Sequence, residues 1–212
     1  GQQESKPASP TPATGNATEE DPLKEAKRIY GGLIVFDQNK SEITASSSPK
    51  LNNMADMASL AASHIAWLYY QGATEKPADS LKVTIKLSNG QNPVFSFPAQ
   101  QLKLADDHIG SIEQAAAFLK KDDFSGLYGL FAPEVAAQMT QQDLALFCNQ
   151  VFEQKGKPVG FTFQGFKFFT LSGKNKELIH YAGMLHREKQ DTPLSLFVDP
   201  ANGQLFSIKF DY

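Results

Sequence analysis

Apolar residues along this chain recur at every second position in some stretches and at every third or fourth in others. The first stretch has no apolar pattern at all. Residues 1–22 contain no Val, Ile, Leu, Met, Phe, Trp, Tyr or Cys, and Pro7, Pro10, Pro12 and Pro22 fall among small polar residues. Such a segment has nothing to bury against the entropy of being ordered, which predicts a disordered tether. Residues 23–28 then read as a short helix, and the β-rich run 29–36 as a strand, with a turn at Asp37-Gln38-Asn39-Lys40 and a short return strand at 42–45. A helix opens at Ser46-Ser47-Ser48-Pro49. Met54, Met57, Ala58, Ala61, Ile65 and Leu68 place one apolar face on it, Trp67, Tyr69 and Tyr70 widen that face, and Gly72 ends it.

Residues 81–87 alternate apolar and polar without a break, as a strand with one wet face does. Asn89-Gly90 suggests a two-residue hairpin, but that length would put Phe95 and Phe97 on the face of Lys82 and Thr84. A three-residue loop, Asn89-Gly90-Gln91, pairs Ile85 with Phe95 and Val83 with Phe97, and buried register decides for it. Residues 23–105 thus read as a small module, one helix on an antiparallel sheet.

From residue 106 the pattern is helical again. Ser111 and Gln114 have capping-box spacing, Asp122-Asp123 interrupts and recaps before Phe124, and Thr140 to Asp143 repeats the capping pattern. That third helix puts Leu144, Phe147, Cys148, Val151 and Phe152 on one face and stops at Gly156. Everything after Pro158 reads as strand, and 8 of the 16 phenylalanines lie there. The alternation slips phase at Gln164-Gly165, the mark of a β-bulge in a long bent strand. Further strands are expected at 178–186, 194–198 and 205–210.

Charge changes this picture only modestly. The chain carries 23 acidic and 20 basic side chains, a net charge of −3, without the basic excess that nucleic acid demands. The whole −3 belongs to residues 1–22. Residues 23–105 hold 9 basic and 6 acidic groups, residues 106–212 hold 10 and 13, a mild opposition suited to docking. A single cysteine excludes an internal disulfide and multi-cysteine metal sites. No apolar run reaches the roughly 18 residues of a membrane span.

The tether resembles the segment that follows the lipid-modified cysteine of bacterial envelope lipoproteins, which implies export, to the periplasm or a lipid-anchored position, with signal peptide and anchor upstream of Gly1. The alternative is the flexible start of a cytoplasmic protein. In the second half, FLKKDDFSGLYGLFAPEVAAQMTQQDL joins an apolar helix, a charged break, a Leu-Phe-x-Pro-Glu end and a new helix at Thr140. With four antiparallel strands after it, this pattern resembles the nuclear transport factor 2-like (cystatin-like) superfamily, over about residues 109–212 and closest to its small secreted bacterial members. The resemblance implies an α+β fold: three helices wrapped by a four-stranded bent antiparallel sheet into a cone that can hold a small ligand. It carries no invariant catalytic motif.

Enzymatic relatives in that superfamily place a His and an Asp, or a Tyr and an Asp, deep in the cone. Here that implies His180 as base with Tyr181 or Asp199 assisting, in a hydrolase- or isomerase-type enzyme. Both faces of strand 178–186 are half apolar, so the buried side stays open: His180, Ala182, Met184 and His186, or Ile179, Tyr181, Gly183 and Leu185. His180 and His186 lie about 20 Å apart along a strand, too far to share a metal. His64 reads as a partly buried polar residue, Cys148 as a small core residue, and His108 as a solvated linker residue. Phosphate loops, nucleophile elbows and zinc-protease motifs are missing, and no cofactor or metal is expected. The leading expectation is a non-catalytic envelope protein that binds a small apolar molecule, with Phe161, Phe163, Tyr181, Met184 and Phe197 lining its site, or an envelope protein partner. The sheet offers a homodimer surface. A structural scaffold in an envelope assembly is the third alternative.

Overall fold

The computed structural model describes residues 20–212. The expected tether lies outside the described residues as far as residue 19. Asp21 accepts the Leu23 N–H at 2.9 Å and pairs with Lys27, which fixes the start of α1 (Lys24–Tyr30). Gly31 and Gly32, at φ +64° and +70°, end that helix and turn the chain into β1 (Leu33–Asp37). Ile29 and Tyr30 therefore belong to the helix, not to the strand their β-propensity predicts. A side chain at Gly32 would come within 2.5 Å of the Ser46 carbonyl, so the glycine sets the boundary.

β2 (Glu42–Ser46) returns antiparallel to β1. Ser48 caps α2 (Pro49–Asn53), its hydroxyl accepting the Leu51 N–H at 3.1 Å, with Pro49 in the first turn. The single helix expected from here is broken. Met54 leaves helical geometry, a 3-10 turn follows at Ala55–Met57, and only then does α3 (Ala58–Gly72) begin. Every side chain of α3 from Ala61 to Tyr70 is buried. It has no wet face, because one side packs on the first sheet and the other on the second.

The chain crosses through α3 to β3 (Ser80–Ile85), which therefore lies parallel to β2. β4 (Val94–Pro98) pairs antiparallel with β3. The first sheet, in the order β1-β2-β3-β4, is thus mixed, where the sequence suggested an antiparallel one. Its last loop has three residues as expected, but they are Ser88-Asn89-Gly90, since the Leu87 N–H bonds the Gln91 carbonyl at 2.9 Å. A three-residue hairpin needs its left-handed residue last, and Gly90 has φ +87°. The pairing moves accordingly, to Val83 with Phe95 and Leu81 with Phe97, and the same side chains keep the same face.

α4 (Ala99–His108) follows at once and runs through residues 105 and 106, with Leu102 and Ala105 fully buried. His108 is half-buried rather than solvated, its Nε2 2.8 Å from the Pro200 carbonyl. α5 (Gly110–Lys120) starts from Ile109, itself helical, so Ser111 is not its cap; the Ser111 hydroxyl donates to the Gly203 carbonyl at 2.8 Å instead. Asp123 caps α6 (Phe124–Tyr128), α7 (Pro133–Ala136) adds one turn, and Thr140 with Asp143 forms the capping box of α8 (Gln141–Lys155).

β5 (Pro158–Leu171), β6 (Lys176–Arg187), β7 (Thr192–Val198) and β8 (Leu205–Lys209) form an antiparallel meander. The register of β5 slips between Phe163 and Gly165, at the expected bulge. The buried face of β6 is the one bearing Ile179, Tyr181 and Leu185. Buried residues from both sheets and the helices form one continuous cluster. The protein is α+β, two four-stranded sheets joined through α3. No helix among the described residues is long and apolar enough to cross a membrane.

Candidate functional site

β4 and β5 are edge strands of different sheets, and they face each other across a groove of about 940 Å³. What keeps the strands close is Gly165. A Cβ there would lie 2.5 Å from the Ser63 hydroxyl oxygen and closer still to the Leu60 carbonyl, so only glycine lets the bulge rest on α3. Ser63 completes the junction, accepting the Phe166 N–H at 2.9 Å and donating to the Leu60 carbonyl at 2.6 Å. Phe97 and Phe166 bridge the sheets, with ring centroids 6.0 Å apart.

The groove takes its floor from Met57, Ser59 and Leu60 at the start of α3. Phe95 and Phe97 line it from β4 and Phe166 and Phe168 from the inner face of β5; His180, Ala182 and Tyr212 also border it, His180 and Ala182 from the opposite face of that sheet. Large apolar surfaces with a few polar groups among them are the usual makeup of a small-molecule site, and the volume is in the usual range. On β4 the Ile85 N–H bonds the Pro93 carbonyl, so residues 93, 95 and 97 turn their backbone toward β3. Val94 and Ser96 turn theirs outward, and both side chains are exposed.

The three residues proposed for catalysis are not brought together. Tyr181 lies on the inner face of β6, fully buried, with its hydroxyl donating to the Ala105 carbonyl at 2.6 Å. Burial drives its pKa well above the ordinary value. His180 lies on the opposite face, where Nε2 meets the Ser195 hydroxyl at 2.8 Å. Asp199 is committed to Lys176 at 2.7 Å and to the Ala201 N–H at 2.9 Å. Burial works to raise its pKa, but the Lys176 ammonium and that backbone donor win and hold it low.

The five expected ligand contacts also divide. Phe161, Phe163 and Tyr181 are on the inner face, packed into the core; Phe163 alone meets His64, Trp67 and Tyr181 with ring centroids 5.4, 5.2 and 6.2 Å away. Met184 and Phe197 are on the outer face, and Phe197 borders a separate depression of about 420 Å³ beside Phe169 and Phe206. The groove residues Leu60, Phe95, Phe97, Phe166 and Phe168 were not anticipated. The one local signal was the phase slip at Gly165, which announces a bend but not what the bend lies against.

Other reactive groups are accounted for by burial. Cys148 is fully buried, which pushes its thiol up to about 12 despite the nearby Arg187 charge. Among the described residues no three His, Cys, Asp or Glu side chains cluster as metal ligands would. No protein-family model, curated protein or solved structure matches the chain.

Proposed function

We infer that this is a non-catalytic binding protein whose ligand, a small apolar molecule, occupies the groove between β4 and β5. The observation that carries this reading is the groove itself, walled by phenylalanines and left open between two strand edges. Dispersal of His180, Tyr181 and Asp199 supports binding over acid–base chemistry. The second half is read as a nuclear transport factor 2-like unit, supported by helices followed by a bent four-stranded meander, but its concave face serves as core and the ligand site lies outside it. The polar, proline-rich composition of residues 1–22, like that of the segment after a lipoprotein's anchor cysteine, supports a place in the bacterial envelope.

The test is fluorescence titration with 8-anilinonaphthalene-1-sulfonate, a dye that brightens in apolar sites. The native protein should bind it saturably. Ser59→Trp and Ser96→Trp fill the groove from exposed positions and should weaken dye binding by about tenfold without loss of folding. Unchanged dye binding in both variants would overturn the assignment.

A further inference from the structure

The outward side of the antiparallel sheet is not uniformly polar. Phe169 and Leu178 are register partners on β5 and β6, as are His180 and Phe197 on β6 and β7. Alternation therefore brings Phe169, Leu178 and Phe197 to one face, the one away from Tyr181 and the core. Phe169 and Phe197 meet there with ring centroids 5.2 Å apart. The register of β7 and β8 slips between Phe197 and Val198, which leaves Phe206 as the extra residue and lets its side chain join theirs. Together with Leu171 these residues line the depression of about 420 Å³. Leu178, at its floor, is only 2% exposed.

The charge around this apolar surface is mainly positive. The Lys209 ammonium stands 5.4 Å from the centroid of the Phe197 ring, and that of Lys176 5.2 Å from the centroid of Phe206. Lys176 is paired with Asp199 at 2.7 Å. Among the described residues no carboxylate pairs with Lys209. Glu134 is the one carboxylate that lines the depression, against Lys174 and Lys209. A ring face attracts an ammonium without accepting its N–H groups into lone pairs, so Lys209 keeps donors to give. His180, the register partner of Phe197, feels the same field. Burial first, then Lys209 and Lys167, hold it below its ordinary pKa against the opposing Asp211.

We propose that this depression is a second binding site, separate from the groove between β4 and β5, and that it takes an alkyl carboxylate. The chain lies on Phe169, Leu178, Phe197 and Phe206, and the carboxylate accepts from Lys209. An unpaired ammonium beside apolar surface is complementary to an anion with an apolar body. A peptide suits it less well. Leu178 and Phe197 belong to β6 and β7, the two inner strands of their sheet, whose backbone groups are taken by their neighbours. A peptide's own N–H and C=O groups would lose water there without gaining partners. An alkyl chain has none to lose. The depression also has the volume of a small-molecule site, where a membrane-docking face would be flat or convex.

Octanoate, 1-octanol and octylammonium are of similar length and differ chiefly in charge. Backbone amide mapping by NMR at pH 7.5, where octanoate is ionised, should show octanoate moving residues 169–171, 178, 197 and 206–209 saturably. It should do so at about tenfold lower concentration than either of the other two. Lys209→Glu, at an exposed position, should raise the octanoate midpoint by about tenfold and bring octylammonium to the same residues. Whether octanol moves the groove residues is a separate result, and its failure there counts against the groove alone. Octanoate moving the outer residues no more readily than octanol, or equally well in the native protein and Lys209→Glu, would overturn the proposal. So would shifts at these residues with phosphatidylglycerol vesicles and none with octanoate, which would make the face a membrane contact.

Discussion

His64 lies inside α3 with Nδ1 2.6 Å from the Tyr30 hydroxyl. Burial, with the nearby Lys50 charge and against that of Glu25, lowers its pKa from 6.5 to about 4. The unfolded chain therefore binds a proton that the folded protein resists between those values, so stability is full above pH 6.5 and falls as pH drops toward 4. At pH 5 this one group should account for about 2 kcal/mol of lost stability relative to pH 7.5. Urea unfolding of the native protein and of His64→Gln should show it: the difference between the two should shrink or reverse in favour of the variant at low pH. A difference independent of pH would sink the account. The sequence marks His64 as a partly buried polar residue flanking the apolar face of a helix, and the structure buries it fully enough to leave 5% exposed. Its partner was out of reach, since Tyr30 lies 34 residues away and was read as strand.

Elements with local signals were legible, and those defined by distant partners were not. The caps at Ser48, Asp123 and Thr140, the stop at Gly156 and the bulge at Gly165 are written in a few adjacent residues. Helix α4 was not read, because its sequence AQQLKLADDH buries only Leu102 and Ala105 and resembles a polar connection. The parallel pairing of β2 with β3 depends on which way the chain crosses α3, and no local pattern records that. For the same reason the buried face of β6 stayed open in the sequence, and the five expected ligand contacts fall on both faces: Phe161, Phe163 and Tyr181 meet core, while Met184 and Phe197 lie outside it. Gly165 is the position where the local and distant accounts meet. Gly165→Ala should destabilise the protein by about 2–4 kcal/mol in urea unfolding, because the added carbon strikes Ser63 and the α3 backbone at φ +152°. A loss below about 0.5 kcal/mol would show that the strand can lift off the helix at no cost.

At the scale of the whole molecule, α3 is shared. It fills the space between a mixed sheet and an antiparallel one, and the core runs through it without interruption. The two sheets meet at an angle of the chain's own making, and their edges, β4 and β5, are left facing across the groove. The mild opposite charges of the two halves are consistent with this docking but do not produce it; buried apolar surface does. The groove is thus a property of the pairing of the two sheets, and neither half contains it alone. Its occupation by an apolar ligand is the central claim. The most direct test is backbone amide mapping by NMR while 1-octanol is added to the native protein. Shifts confined to residues 57–60, 94–97, 166–168 and 180–182 are the predicted result; shifts centred on Phe161, Phe163 and Tyr181, or none at saturating octanol, would contradict it.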